Sequence, residues 1–353
     1  MTMAAEDGFN AGDGLVKEVL TEYGELTRRE VRRHLPHSEP ASYLYDLVSD
    51  YPRRGGKMLR PCLCIAAAKA FGAKAEDAVA SAASIELLHN ALLIHDDIED
   101  GSDRRRGVPT LHALHGMPLA LNAGDALALL SLHPLKDNAH RLGHSLALCI
   151  FEETERVAYE TTEGQALELG WCRDNRIDLG DEDYLTMVLK KTCWLTTIHP
   201  LRVGCLIGTR GRGNLEPLIR FGFFFGAAFQ IQDDVLNLES NAGYGKEQNG
   251  DLMEGKRTLM LIYAMRTSRP AERSRLIRLL AKPRNKRTSR DIAWMRTLID
   301  RTGAMDHARS VAKGLAGAAL YEFEQIFGDA ATAQSRDAQF IRNMITWVLH
   351  RDT

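Results

Sequence analysis

AEDAVASAASIELLHNALLIHDDIED, residues Ala75–Asp100, decides how the rest of the chain is read. It contains neither glycine nor proline, and Ile85, Leu88, Leu92 and His95 recur three or four residues apart. That period is helical. The anomaly is how the helix ends. HDDIEDGSDRRRG, His95–Gly107, puts four acidic residues within positions 95–100, adds Asp103 and closes on three arginines. Asp96 and Asp100 share one helical face, with Asp97 alongside. Like charges so placed repel, and acids at a helix C-terminus oppose the helix dipole. The pattern calls for a compensating cation. Oxygen ligands on one face suit Mg²⁺, which takes few carboxylates and keeps waters or phosphates as its other ligands.

The same triplet recurs far along the chain. FQIQDDVLN, residues 229–237, ends the apolar stretch FGFFFGAAFQIQ with Asp233, Asp234 and Asn237 at the same i, i+1, i+4 spacing. Two such triplets, each closing a helix, can face one another across a bundle and hold several divalent ions. Cations accompany them. Lys57 and Arg60 follow the Gly55–Gly56 turn; Arg104–Arg106 follow the first triplet, and Lys246 and Lys256 the second; Lys191 and Thr192 lie in a helical stretch between. Basic side chains beside Mg²⁺-binding carboxylates point to a polyanionic ligand, and a diphosphate fits best. Neither a P-loop nor a glycine-rich dinucleotide motif follows a strand.

The remaining chain is consistent with a helical enzyme. Its 353 residues are 44% hydrophobic and 26% charged, with a net charge of −2, so there is no global electrostatic case for nucleic acid. Six scattered cysteines form no C-x-x-C pair and read as reduced thiols. MTMAAEDGFNAGDG has no signal-peptide pattern, and apolar runs such as Phe221–Phe229 are too short for a bilayer. The expectation is a soluble, cytoplasmic protein without a transmembrane segment. Helical stretches are expected near 143–169, 181–208, 214–238, 256–268, 290–302, 304–326 and 335–350, besides 75–100 and a first helix closed by Pro36. Basic KPRNKRTSR, 282–290, reads as a solvated connector. No linker, repeat or run of strands divides the chain. One all-α domain is expected over 1–353, with about 1–12 as a flexible tail.

Together these residues resemble the trans-polyprenyl diphosphate synthases from about Tyr43 onward. The resemblance rests on GGKMLRP (55–61), LLHNALLIHDDIED (87–100) with RRG and Pro109–Thr110 after it, NAGD (122–125), GQ (164–165), KT (191–192), FQIQDDVLN, YGKE (244–247) and EGKRTL (254–259), in that order. It implies an isoprenoid synthase-type helical bundle with a central active-site cavity. It implies Mg²⁺, three ions with diphosphate bound, and a prenyl transfer. The allylic diphosphate ionises, isopentenyl diphosphate attacks the carbocation, and a proton is lost to the departing diphosphate. By position, Asp96, Asp97, Asp100, Asp233 and Asp234 match the metal motifs. Lys57, Arg60, His89 and Arg106 match the isopentenyl diphosphate site. Arg105, Lys191, Thr192, Gln230, Lys246 and Lys256 match the allylic site, with Lys191 also among the catalytic groups. Arg104 reads as surface, and Arg351 as a cover. A homodimer is implied too.

Some features depart from the family pattern or test it. Asn237 stands where the second motif usually ends in Asp, implying activity with altered Mg²⁺ affinity. DDIED also reads as the acidic signature of squalene and phytoene synthases, but FQIQDDVLN is not a second copy. A class I terpene cyclase would need Ser/Thr and Glu where Asn237 and Asn241 stand. Chain length in the family depends on side chains one and two turns before the first motif, here Leu88, Ala91 and Leu92. A small Ala91 leaves room for geranylgeranyl diphosphate. Farnesyl diphosphate is the alternative if Leu88, Met117 or Leu121 closes the floor, and a longer product stays open. A catalytically silent partner subunit would lose site residues, and only Asn237 points that way.

Overall fold

A computed structural model describes residues 3–239 and 249–350, and these are helical almost throughout. In order, the helices are α1 Met3–His34, α2 Asp46–Arg53, α3 Leu59–Ala70, α4 Ala75–Asp100, α5 Leu111–His115 and α6 Met117–Leu130. Then come α7 His133–Leu142, α8 His144–Arg173, α9 Asp181–Val188, α10 His199–Gly208, α11 Glu216–Glu239 and α12 Gly250–Glu254. The last are α13 Leu259–Thr267, α14 Pro270–Leu280, α15 Ser289–Arg301, α16 Ala304–Phe327, α17 Ala330–Ala333 and α18 Arg336–His350. A π segment, Leu189–Ile198, joins α9 to α10. Among the described residues the only strands are β1 Arg104–Arg105 and β2 Val108–Pro109, paired antiparallel.

Helix α4 is the central one; α1, α3, α6 and α7 pack around it. After its first turn, every residue from Ala78 through Leu88 is buried, so no polar stripe exists there to face water. By length and composition α4 could cross a bilayer, contrary to the expectation that no run is long enough, but 72% of its apolar window is buried inside the protein. Gly101, at φ 63°, ends it. The amides of Gly101 and Ser102 turn back onto the carbonyls of Ile98 and Asp97, a glycine-capped C-terminus that ends the helix just after its acidic last turn.

The opposite wall is α11, packed against the π segment on one side and α16 on the other. Phe221, Phe225, Phe323 and Phe327 are all buried where α11 meets α16. Truncating any one to alanine costs about 3–5 kcal/mol. Helix α3 crosses α10 so closely that a Cβ on Gly204 would lie 2.5 Å from Ala67 Cβ.

Two sequence expectations change. Helix α1 starts at Met3, so helix occupies the stretch expected to be a tail; MAAE contains strong helix formers. Segment 282–290 is anchored rather than merely solvated. Arg287 is buried and donates to the carbonyls of Leu279, Leu280 and Met253, Lys282 pairs with Asp291, and Arg284 pairs with Glu254.

Candidate active site

Helices α4, α8 and α11 and the π segment enclose a cavity of about 860 Å³. Helical phase decides which side chains reach it. At about 100° per residue, Asp100 and Leu92 lie about 40° either side of Asp96, and Leu93 about 60° away. Asp96, Leu92 and Leu93 line the cavity, and Asp100 lies at its rim beside Ser102 and Arg105. The same phase on α11 brings Phe229, Gln230, Asp233 and Asn237 to the facing wall. The two acidic motifs therefore share one cavity.

A third carboxylate joins the first motif. Glu168 of α8 brings an oxygen within 4.8 Å of oxygens from Asp96 and Asp100. Lys191 bridges Asp96, at 3.2 Å, and Glu168. Lys256 bridges Asp100 and Glu254. Burial pushes the Asp100 carboxyl up, against Lys256, to about 7. Burial also raises Glu168, but Lys191 and Lys256 outweigh it and hold that carboxyl below its usual range. Gly164 permits the arrangement: a Cβ there would sit 2.1 Å from the Lys191 backbone nitrogen. The absent side chain lets the π segment press Lys191 against α8, and such segments often mark functional sites.

On the opposite wall, Asp234 is buried and accepts from Tyr184 Oη and Gln230 Nε2, each at 2.7 Å. Burial, reinforced by Asp251, raises its pKa well above the carboxylate range. Gln230 Oε1 in turn accepts from Thr192 at 3.0 Å. Asn237 Oδ1 accepts from the Asp251 amide at 3.2 Å, which brings the Asp251 carboxylate into the lining.

Cations cluster toward α3. Lys57, Arg60, His89 and Arg106 line the cavity around Glu86, which is 3% exposed. Arg60 donates to Thr196 Oγ1 at 2.8 Å, and burial lowers its pKa to about 10. Burial, then Arg60, brings the His89 imidazole down to about 4, so it is neutral at pH 7. At this end of the cavity Lys57, Arg60 and Arg106 lie around one carboxylate, Glu86, which leaves excess local positive charge for an anionic ligand.

Comparison with known proteins gives the family. Residues 41–296 match the family model described as polyprenyl synthetase. The chain belongs to the polyprenyl synthetase family. It is 33% identical over 299 residues to a short chain isoprenyl diphosphate synthase of Methanothermobacter thermautotrophicus, covering 84% of this chain and 88% of that one. It is 34% identical over 256 residues to a geranylgeranyl pyrophosphate synthase of Geoglobus acetivorans, covering 71% and 76%. A solved polyprenyl synthase from Caulobacter crescentus, complexed with calcium and isoprenyl diphosphate, superposes with a TM-score of 0.82 at 25% identity, covering 96% and 98%.

Within this polyprenyl synthetase, several residues depart from the roles expected of them. Asp97 is about 100° from Asp96 and fully buried. Its carboxylate accepts from Tyr51 and Arg105 rather than facing the cavity as a metal ligand. Arg105 reaches the lining but spends its guanidinium on Asp97 and Asp96. Ala91, about 140° from Asp96, is fully buried in a cluster with Ala120, Ala123 and Leu127 and is not at the floor. Leu88 packs in another cluster with Val157 and Trp194. Leu92, Leu93, Thr161 and Thr162 line the cavity instead. Met117 and Leu121 are exposed and close no floor within the chain. Glu99 lines the cavity and accepts from Gln165 at 2.5 Å. Lys246, Asn241 and Arg351 lie outside the described residues. Sequence reading missed Glu86, Glu168, Tyr184 and Asp251. Glu168 had a signal, three residues after Gln165, and Glu86 likewise, three before His89.

Proposed function

We propose that this enzyme condenses isopentenyl diphosphate with an allylic diphosphate to make a short all-trans prenyl diphosphate, geranylgeranyl diphosphate above others. The observation that carries the reading is one cavity with two acidic walls, a separate cationic cluster and an apolar arm. The donors fit a hard cation: Asp96, Asp100 and Glu168 converge in carboxylate oxygen alone, with Asp233 and Asp251 opposite. Asp96, Asp100 and Asp233 would hold Mg²⁺, three ions in the full complex. Bound Mg²⁺ supplies Lewis-acid stabilisation of charge on the departing diphosphate.

The chain's own residues do the rest. Lys191 and Lys256 add cationic charge to the allylic diphosphate as it leaves. Asp97 and Tyr51 hold Arg105 against the first motif. Lys57, Arg60, His89 and Arg106 bind the second diphosphate, with Glu86 paired to His89 beneath them. Leu92, Leu93 and Phe229 keep water from the carbocation. No aromatic side chain from α4 or α8 lines the cavity, which leaves room for a tail longer than farnesyl. A second copy of the chain covers the exposed apolar side chains of α5, α6 and α8.

The test is Mg²⁺-dependent diphosphate release from isopentenyl diphosphate with each allylic diphosphate, followed by chromatography of the dephosphorylated product. Release giving a twenty-carbon alcohol is expected. No release with any allylic substrate would leave the silent-subunit reading.

A further inference from the structure

Charge is unevenly distributed along this chain. Between Arg269 and Arg290 there are nine arginines and lysines and one acidic residue, Glu272, a net of +8. The whole chain is −2, so the remainder carries −10. The basic stretch comprises α14, a short turn at Arg284–Lys286 and the start of α15. Leu276, Leu279 and Leu280 anchor α14 in the core, while Arg273, Arg275 and Arg278 stay exposed. Lys286 and Arg290 are exposed as well. Among the described residues, Arg269, Arg273, Arg278, Lys286 and Arg290 have no ion pair, although acidic side chains outnumber basic ones in the chain. A solvated helix face ordinarily mixes both signs.

The patch also has a fixed place. Arg284 donates to Glu254 Oε1 at 2.9 Å, and Ser102, just past the first acidic motif, donates to the same oxygen at 3.2 Å. Glu254 pairs in turn with Lys256 of the site. The cationic surface therefore adjoins the rim of the cavity rather than lying across the molecule from it.

We infer that this surface docks the enzyme on an anionic lipid bilayer, with the cavity mouth beside the membrane. The choice of a bilayer rests on the proposed activity, whose product is a long hydrocarbon ending in a diphosphate and so an amphiphile at home in a membrane. Lysines and arginines near an anionic leaflet each add attraction that salt screens. No long apolar side chain projects from α14 beside the cations, so the association is electrostatic and reversible, without insertion. Nucleic acid fits less well. Trp294 of α15 already carries the Arg275 guanidinium over its ring, 4.2 Å from the centroid, and among the described residues α14 and α15 present no exposed aromatic ring that could stack bases.

The test is sedimentation of the full chain with phosphatidylglycerol–phosphatidylcholine vesicles, and with phosphatidylcholine alone, without substrates. Binding to the anionic vesicles alone is expected, and about 0.5 M salt should abolish it. Arg273→Glu, Arg278→Glu, Lys286→Glu and Arg290→Glu combined should weaken binding by about tenfold or more, keeping the unfolding midpoint and the vesicle-free turnover. A gentler set with glutamine at these positions should fall between. Absence of binding at low salt, or equal binding by the reversed variant, overturns the inference. So does tighter binding to duplex DNA than to vesicles, or a reversed variant whose only defect is a raised KM for free diphosphates. Binding is read without turnover, so its failure is distinct from a failure of the proposed activity.

Discussion

Glu168 touches both site lysines, so neutralising it disturbs more than one contact. Glu168→Gln leaves Lys191 and Lys256 beside Asp96 and Asp100 with one carboxylate fewer. Weakening a buried ionic network in this way costs up to about 3 kcal/mol, and turnover should drop by about 10²-fold as the lysines lose their fixed positions. Thermal midpoint and kcat measured together check both; a variant with native kcat would remove Glu168 from the site. Product length is decided by phase. Leu92→Phe projects into the cavity and should shift the product toward farnesyl diphosphate, read by chromatography of the dephosphorylated alcohol. Ala91→Phe instead overpacks the contact with α6 and should cost about 1–3 kcal/mol with little change in length. The reverse pattern would return Ala91 to the floor. Protonation gives a further test. Burial lowers both His89 and His199 to about 4. Unfolded, their imidazoles take up protons below about pH 6.5; folded, they do not. Stability therefore falls as the pH drops from 6.5 toward 4, by at most about 1.4 kcal/mol per unit per ring. Denaturant midpoints across that range should show a shallower slope in His89→Gln, and an identical slope would contradict the burial argument.

The joint between α8 and the π segment depends on a missing methyl group. Gly164→Ala gains about 1 kcal/mol of helix propensity. It also places a Cβ at 2.1 Å from the Lys191 nitrogen, a backbone atom that cannot swing aside. The clash outweighs the propensity, so the variant should be less stable by about 1–3 kcal/mol and lose most activity, because Lys191 and Thr192 move with the segment. Calorimetry alongside turnover tests this; a stabilised, active variant would mean that α8 and the segment can part freely. Sequence exposed some elements and hid others for the same physical reason. Helices with one wet face, such as α15 and α16, show a period. Helix α3, LRPCLCIAAAKA, is buried over most of its length and shows none, and α6, rich in Leu and Ala, conceals its period too. Triplet spacing located Asp96, Asp100 and Asp233 because i, i+4 pairs share a face in any helix. It could not place Glu86, Glu168 or Asp251, whose roles arise only where separate elements meet. Counting back from the motif ignores rotation about the helix axis, and the structure puts Leu92 rather than Ala91 in the cavity lining.

At the scale of the whole molecule, the single chain leaves apolar surface uncovered. Leu114, Met117, Leu121, Leu129, Leu148 and Phe151 are each at least 42% exposed on α5, α6 and the first turns of α8. Isolated exposed leucines are ordinary, but six large apolar side chains on neighbouring stretches of chain mark a surface to be covered. The inner side of α6 already packs on α4, and Asp125 of α6 lies 3.3 Å from His95 Nε2 at the cavity wall. A second copy seated on α6 would thus brace the wall that carries Leu93 and His95. A stable pair needs about 1,200 Å² or more of buried surface, more apolar than the rest of the exterior. Leu129→Glu with Leu148→Glu places two charges in that contact without touching the cavity. Sedimentation velocity should show the natural chain as a dimer and the double variant as a monomer with its helical content unchanged. Turnover of the monomer should fall several-fold, since α4 loses its outer support. A natural chain that sediments as a monomer at micromolar concentration would leave this apolar face to some other partner.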